Sequence, residues 1–381
     1  MTHPGLCLIL MFLAGALVGC EQPVEQDGGV TATLHQANTT GFDRALAVRP
    51  FQFPADHGPH PNFRDEWWYV TGNLDGPKGR RFGFQITFFR HGIRRGKRPG
   101  ESHWAGQDAW MAHFALTDVA NQRYHSFQRI SREAIGLAGA QAKPFKVWLD
   151  DWVLEASPEK GNPWHFRAQQ EGVELDLMLS PGKVPVLQGD RGLSQKSMEP
   201  GNASYYYSMT RMRAHGRVKV KDEPMPVSGL AWLDREWSTS MLAPDQAGWD
   251  WFSLQLDSGE DLMYFRMRRK NGEEDPLSSG AWIAPDGTSR HLNREDVKLT
   301  SLSKWRSPAG YDYPASWQLL MVQTGQKLRV KPVLSDQEFR HDARYWEGAV
   351  DVTDAETGRN LGRGYVELTG YAPGAGEKPP G

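Results

Sequence analysis

The most constraining feature of this sequence is a two-residue alternation of apolar and polar side chains in short segments. In residues 81–90, Phe82, Phe84, Ile86 and Phe88 fall on one face of an extended chain, and small or polar residues fall on the other. This period is typical of half-buried β-strands. No segment keeps a helical period of 3.6 residues for more than about three turns. The sequence therefore predicts an all-β fold.

Turn signals separate these segments. Asp75-Gly76-Pro77, Asp257-Ser258-Gly259 and Pro285-Asp286-Gly287 each lie between β-rich runs, and the 381 residues include 40 Gly and 25 Pro. Most links are too short for crossover helices, so we expect antiparallel sheets. Such sheets close into barrels or stack as sandwiches. Because the chain is too long for one core, we expect two such domains packed together.

The sequence divides into five segments. We expect a signal peptide in residues 1–19, a flexible tether in 20–46, an N-terminal domain in 47–222, a C-terminal domain in 223–373 and a tail in 374–381. The domain boundary is placed where polar, Gly and Pro residues interrupt the strand pattern.

The N-terminal residues predict an export signal. Residues 6–18 form an apolar run that suits a signal peptide and is too short to span a bilayer. Leu17-Val18-Gly19-Cys20 matches the lipobox of bacterial lipoproteins, so Cys20 is the predicted lipid anchor. This predicts a membrane-anchored lipoprotein on the periplasmic side of the bacterial cell envelope, with the choice of membrane open. The alternative is a general secretory signal with an incidental cysteine.

Composition and motifs limit the function classes. A net charge of −2 argues against nucleic-acid binding. No phosphate-binding loop or serine-esterase elbow is present, and no cofactor is expected. The pair His57 and His60 lacks a third ligand at metal-binding spacing, so no metal site is expected. The 15 Trp, 11 Tyr and 16 Phe residues suggest an interior large enough for a hydrophobic ligand, or simply solid cores.

Several aromatic motifs resemble one family. These are residues 53–58 (FPADHG), 66–72 (EWWYVTG), 248–252 (GWDWF), 345–348 (YWEG) and 364–371 (GYVELTGY). Together they resemble the AttH / carotenoid 1,2-hydratase-like family and bracket nearly the whole exported chain. The resemblance implies two lipocalin-like β domains.

The resemblance also implies two functions. AttH-type members are associated with an ABC export system. Together with the lipobox and the aromatic strand faces, this resemblance predicts a lipid-anchored protein that binds a hydrophobic small molecule or lipid beside an ABC permease. Other relatives are hydratases and cyclases, which implies the alternative: a hydratase or cyclase acting on a hydrophobic polyene-like substrate with a buried carboxylic acid. Fold alone does not choose between these functions.

Asp250 is the first candidate for this acid. Strand alternation places it on the apolar face with Phe252 and Leu254, and Trp249 and Trp251 on the opposite face as candidate ligand contacts. A carboxyl on an apolar face is protonated, paired or hydrated. Asp250 is therefore a general acid or a member of a structural ion pair, for which we consider Arg235.

The remaining candidates lie on other predicted strands. Asp234 and Glu236 share a face, where they either perturb each other's titration or are solvated. Glu66 shares a face with Trp68, and we expect a buried, hydrogen-bonded acid there. His113 lies inside a predicted strand and is the last candidate for ligand binding or catalysis.

Overall fold

The computed structural model describes residues 39–95, 107–239 and 242–372. Cys20, the predicted signal peptide and the predicted C-terminal tail lie outside the described residues. Within them the chain forms two curled antiparallel sheets, which are two barrel-like halves. The prediction of an all-β fold with two antiparallel domains is confirmed. None of the described helices is long and apolar enough to cross a membrane.

The first sheet holds thirteen strands. Its main path runs β4-β3-β2-β1-β13-β12-β9-β8-β7-β6-β5, and β10 and β11 pair with β12. The strands are β1 Asp65–Asp75, β2 Arg81–Gly92, β3 Asp108–Asp118, β4 Arg123–Arg132, β5 Ala138–Ala142, β6 Phe145–Leu149, β7 Trp152–Ala156, β8 Trp164–Gln170, β9 Val173–Ser180, β10 Val186–Leu187, β11 Leu193–Gln195, β12 Ala203–Val220 and β13 Glu223–Ser238.

The second sheet holds ten strands. Its path runs β17-β16-β15-β14-β23-β22-β20-β19-β18, and β21 pairs with β22. The strands are β14 Gln246–Leu256, β15 Asp261–Arg269, β16 Ser279–Ile283, β17 Ser289–Asn293, β18 Val297–Arg306, β19 Asp312–Met321, β20 Lys327–Pro332, β21 Glu338–Arg340, β22 Arg344–Asp354 and β23 Asn360–Leu368. The described residues also form four 3-10 turns, at Ala55–His57, Pro77–Gly79, Ala134–Gly136 and Arg294–Asp296.

The chain passes from the first sheet to the second later than predicted. The boundary expected between residues 222 and 223 lies in the turn between β12 and β13, which pair from Ser204–Ser238 to Val220–Glu223. The polar residues there form the tip of a long hairpin, and the first sheet continues to Ser238. The tether predicted for residues 20–46 also ends earlier, because Ala45 is buried in the first core.

Aromatic side chains fill the interior of each half. In the first half the rings of Phe84 and Phe166 stack at 6.0 Å, and Phe114 packs edge-on against Trp152 at 5.6 Å. In the second half the rings of Phe252 and Trp317 lie 5.5 Å apart. These residues come from the apolar side of each strand alternation, which therefore forms the two cores.

The opposite strand faces meet in the seam between the halves. Polar side chains cross it: the Asn73 amide donates to the Gly364 carbonyl at 3.0 Å, and the Gln255 amide donates to the Thr210 carbonyl at 2.6 Å. A Cβ on Gly83 would lie 2.5 Å from the Cβ of Ala349, so glycine permits the close approach of the two sheets. Both faces of the central strands are consequently buried.

Candidate functional site

A cleft opens within this seam. It holds about 1010 Å³ of space between atoms, including the part open to solvent, and about 100 Å³ of it can be occupied by the centre of a water molecule. Aromatic and apolar side chains form most of its wall, with a few acidic and basic groups. The lining residues are Trp67, Tyr69, Thr87, Phe89, Lys196, Tyr206, Asp234, Glu236, Trp249, Trp251, Phe265, Met267, Arg344, Tyr345, Glu367 and Thr369.

Strand alternation positions these side chains. On β13, Asp234 and Glu236 project from the outer face of the first sheet, whereas Arg235 between them projects inward. On β14, Trp249 and Trp251 project from the outer face of the second sheet. The structure thus brings together the predicted pair of acids and the predicted pair of tryptophans, which face each other from different sheets.

Asp234 is a buried carboxyl held by neutral donors. Its Oδ1 accepts hydrogen bonds from the Ser208 hydroxyl at 2.5 Å and the Trp232 indole at 2.7 Å, and its Oδ2 accepts one from the Tyr206 hydroxyl at 2.5 Å. Burial raises the pKa of Asp234 to about 7, although these hydrogen bonds oppose the rise. Within the described ranges no cation pairs with it, so Asp234 holds or releases a proton near neutral pH.

Glu236 is different because it has a cationic partner. The Lys196 ammonium lies 2.9 Å from Glu236 Oε1, and the Ser204 hydroxyl donates to the same carboxyl. Lys196 is almost fully buried, and its Nζ lies 4.6 Å from the centre of the Phe265 ring. This pair neutralises one acid of the cleft.

Glu367 lines the cleft and Glu347 lies behind it; neither was among the residues predicted from the sequence. They are opposite each other on β23 and β22. Burial raises the pKa of Glu367 to about 7, while a hydrogen bond from the Trp249 indole, at 3.1 Å, opposes the rise. Burial, followed by the charge of Glu367, raises the pKa of Glu347 well above its ordinary value. Both residues belong to the aromatic motifs that resemble the family. Each alternates with apolar residues along its strand, and this alternation was the sequence feature that could have identified them as candidates.

Asp250 lies away from the cleft. It projects into the second half, where Arg266 and Arg268 form ion pairs with it and the Tyr371 hydroxyl donates to its Oδ1 at 2.9 Å. The partners come from the neighbouring strand β15 and not from Arg235, which belongs to the other sheet. Asp250 is therefore the structural ion pair, and its geometry does not place a proton donor in the cleft.

Glu66 and Trp68 also lie inside a core. Arg235 and Arg90 both pair with the Glu66 carboxyl. Burial alone would raise the pKa of Glu66, but these two guanidinium groups bring it well below its ordinary value. Trp68 is fully buried under the Arg235 guanidinium, 3.9 Å from its ring centre, and donates from its indole to the His57 carbonyl. These two candidates stabilise the first half and do not contact the cleft.

His113 lies behind the cleft wall. Its Nδ1 is 2.8 Å from the Tyr345 hydroxyl, and its ring packs 4.3 Å from that of Phe339. Burial lowers the pKa of His113 to about 3, so its imidazole is neutral at neutral pH and orients Tyr345. Among the residues with assigned positions, no group of three or more His, Cys, Asp or Glu side chains is placed to hold a metal ion.

Comparisons with known proteins agree with this architecture. The sequence profile described as AttH-like matches residues 44–371. A crystal structure of a putative AttH from Nitrosomonas europaea is 37% identical, covers 87% of this chain and 100% of its own, and superposes with a TM-score of 0.78. No curated protein matched the chain.

Two more distant structures share the fold. Kievitone hydratase from Nectria haematococca is 13% identical, covers 87% of this chain and 97% of its own, and has a TM-score of 0.64. CghA in complex with Sch210972 is 12% identical, covers 87% and 96%, and has a TM-score of 0.50. The profile match spans most of the chain, and the closer similarity extends over the whole of the Nitrosomonas protein. The chain therefore belongs to the AttH-like family.

Proposed function

We propose that this protein binds a hydrophobic small molecule or lipid in the cleft between its two sheets. The observation that carries the proposal is the cleft itself, an apolar space with aromatic walls and few polar groups, which is the usual character of a small-molecule site. Apolar side chains pack together inside each half, and the apolar cleft lies in the seam, so we place the ligand in the seam. The indoles of Trp249 and Trp251 supply two of the large aromatic faces of the wall.

Binding of an apolar fluorescent probe tests this proposal. N-phenyl-1-naphthylamine should bind the protein with enhanced emission, and Trp251→Ala should weaken binding about tenfold, since loss of a large apolar contact costs at least 1.4 kcal/mol. Trp148→Ala, on the edge of the first half, is the matched control and should leave affinity unchanged. Equal effects of both variants, or no binding at all, would contradict the proposal.

A second function is favoured by the acids on the two walls. Asp234 and Glu367 have pKa values of about 7, and in the described part of the chain neither has an ion-pair partner. A carboxylic acid of this strength in an apolar cleft suits general acid catalysis. The similarity in fold to a protein named as a hydratase points in the same direction.

We propose hydration of a carbon–carbon double bond as this second function. The protonated carboxyl of Asp234 or Glu367 gives its proton to one alkene carbon, and the aromatic walls stabilise the resulting carbocation. Water then adds to the cationic carbon, and its extra proton returns to the carboxylate. The balance is one water added to one double bond, with no redox change.

Isotope incorporation tests the second function. A polyene such as squalene, incubated with the protein in ¹⁸O-labelled water, should gain one labelled hydroxyl. Asp234→Asn or Glu367→Gln should abolish incorporation and keep probe binding, whereas Asp250→Asn should keep incorporation in the folded fraction. Incorporation that persists in the Asp234/Glu367 double variant would refute these roles.

The cellular context remains a proposal from the N-terminal sequence. We propose that acylation of Cys20 anchors the protein at the periplasmic side of the bacterial cell envelope, beside an ABC permease that receives the ligand. Metabolic labelling with a palmitate analogue should mark the wild type and not Cys20→Ser. Cross-linking in the native host should recover the permease; labelling of neither variant, or recovery of no permease, would refute the corresponding part.

A further inference from the structure

A polar cluster lies directly behind the apolar cleft. It consists of the carboxyl of Glu347 and the hydroxyls of Tyr69, Tyr124, Tyr345 and Tyr365, and is called the tyrosine–glutamate cluster below. Tyr69 and Tyr345 are also part of the cleft wall. Both lie against the Glu347 carboxyl, and the charge of that carboxyl influences the pKa of all four tyrosines. The cluster and the cleft therefore share a wall.

Most polar atoms of the cluster are buried without a partner. Both carboxyl oxygens of Glu347 and the hydroxyls of Tyr69, Tyr124 and Tyr365 make no well-formed hydrogen bond to a described group, although the Tyr69 and Tyr345 hydroxyls face the Glu347 carboxyl and the Tyr365 hydroxyl faces Thr117. Glu347 is 0% exposed, Tyr365 is 1% exposed and Tyr69 is 6% exposed. Each buried polar group left unpaired costs about 1–3 kcal/mol, and native proteins rarely leave several together. Five such atoms in one cluster, two of whose tyrosines line the cleft, indicate a place for a hydrogen-bonding group.

The charges around the cluster limit which chemical group of a ligand it can bind. The side chains facing the cluster from neighbouring strands are His113 and Thr117 on β3, Glu367 on β23 and Gln337 before β21. Arg340, whose charge acts on Tyr124, is paired with Asp336 and Glu338. The two cations of the cleft wall are also paired, Arg344 with Glu338 and Lys196 with Glu236. Burial raises the pKa of Glu347 and of the tyrosines well above their ordinary values, which favours the uncharged form of each group. A protonated carboxyl and phenols donate and accept hydrogen bonds equally well.

We propose that the tyrosine–glutamate cluster is a head-group subsite, which takes the hydroxyl group of a hydrophobic alcohol whose hydrocarbon lies in the cleft. The inference rests on the proposed binding function and specifies its ligand class. A hydroxyl both donates and accepts, so it supplies the well-formed hydrogen bonds that the Glu347 carboxyl and the phenols of Tyr69 and Tyr365 lack. An alkane leaves these groups unpaired, and a charged head group loses its hydration without gaining a counterion.

A series of ten-carbon probes tests the subsite. Decan-1-ol, decane, decanoate and decylammonium are compared by displacement of N-phenyl-1-naphthylamine at neutral pH. Decan-1-ol should bind at least about tenfold more tightly than the other three, because a site built for a hydroxyl discriminates against analogues that lack it. Equal affinity of decanol and decane would overturn the subsite and leave the apolar cleft intact. Tighter binding of either charged probe would also overturn it. Failure of all four probes and of the fluorophore would overturn both proposals.

Two variants of Glu347 separate recognition from folding. Glu347→Gln keeps an uncharged donor and acceptor and should retain the preference for decanol. Glu347→Met removes both and should reduce the preference to about twofold or less, with decane affinity unchanged. Thermal melting establishes that each variant is folded, and Tyr365→Phe provides a second, smaller deletion with the same expected direction. If both Glu347→Met and Tyr365→Phe kept the full preference for decanol over decane, the assignment of the cluster as a head-group subsite would be refuted.

Discussion

The buried carboxyl of Asp234 should make the stability of this protein depend on pH in a defined direction. Its pKa is about 7 in the folded protein against an ordinary value of 3.8. The folded state therefore keeps a proton that the unfolded chain releases, and the free energy of unfolding falls as pH rises from 3.8 to 7. At about 1.36 kcal/mol per pKa unit, the loss is about 4 kcal/mol and is complete above pH 7. Asp234→Asn removes this loss.

Other groups titrate in the same pH range, and their contributions to the unfolding free energy must be separated from that of Asp234. Burial lowers the pKa of His57 to about 4 and that of His113 to about 3, so their contributions to stability increase with pH up to their ordinary pKa of 6.5. The histidine contributions occur equally in wild type and variant. Glu367 is different, because the charge of Asp234 helps to raise its pKa; removing that charge changes the unfolding free energy in the same direction as the loss of Asp234 titration. The quantity to measure is therefore the difference in unfolding free energy between Asp234→Asn and wild type, from urea unfolding followed by tryptophan fluorescence. It should rise by about 4 kcal/mol between about pH 4 and about pH 8.

The Asp234→Asn experiment has a matched control, and one result would contradict it. Asn fits the site, since its oxygen accepts from Trp232 and Ser208 while its amide donates to the Tyr206 oxygen. Asp75→Asn changes an exposed aspartate that pairs with Arg363, and its difference from wild type should vary by less than about 1 kcal/mol over the same range. A difference for Asp234→Asn that does not change with pH would refute the reasoning about burial.

The other perturbations separate structural acids from the cleft. Glu66→Gln should destabilise the fold by about 3–5 kcal/mol in urea unfolding, because it leaves the buried Arg235 guanidinium without a carboxylate; a change below about 1 kcal/mol would contradict this. Asp250→Asn should also lower the unfolding free energy, since Arg266 loses its partner, yet probe affinity should be unchanged; a loss of affinity without a loss of stability would return Asp250 to the site. Trp249→Ala should weaken probe binding about tenfold and change the melting temperature little, because its ring is only half-buried. Unchanged probe affinity in Trp249→Ala would show that this side of the cleft does not contact the probe.

The fold was predictable because its signals are local. The alternation of Phe82, Phe84, Ile86 and Phe88 identifies β2, and all four side chains are fully buried in the first core. The turn after Asp75 joins β1 to β2 as expected. The boundary between the sheets was not predictable in this way, because a polar hairpin tip and a domain linker have the same composition.

The site was only partly predictable, because alternation says which residues share a face and not what covers that face. It placed Asp234 and Glu236 together and opposite Arg235, as the structure has them. It also placed Asp250 correctly on an apolar face, but the choice between acid and ion pair depended on β15, which supplies Arg266 from another part of the chain. Glu367 required knowledge that its strand lies against the other sheet.

The acid strength of Asp234 is a consequence of contact between the two halves. The residue lies on the outer face of β13, where an isolated first half would expose it to water and leave its pKa ordinary. The second sheet covers it: the Trp251 indole donates to the Tyr206 oxygen at 3.2 Å, and the Tyr206 hydroxyl donates to Asp234. Since the same contact encloses the cleft, the ligand space and the proton donor form together. The alternation of residues along β13 is compatible with a solvated Asp234 of ordinary pKa or with a buried Asp234 of raised pKa. The contact between the two halves decides which of these states occurs.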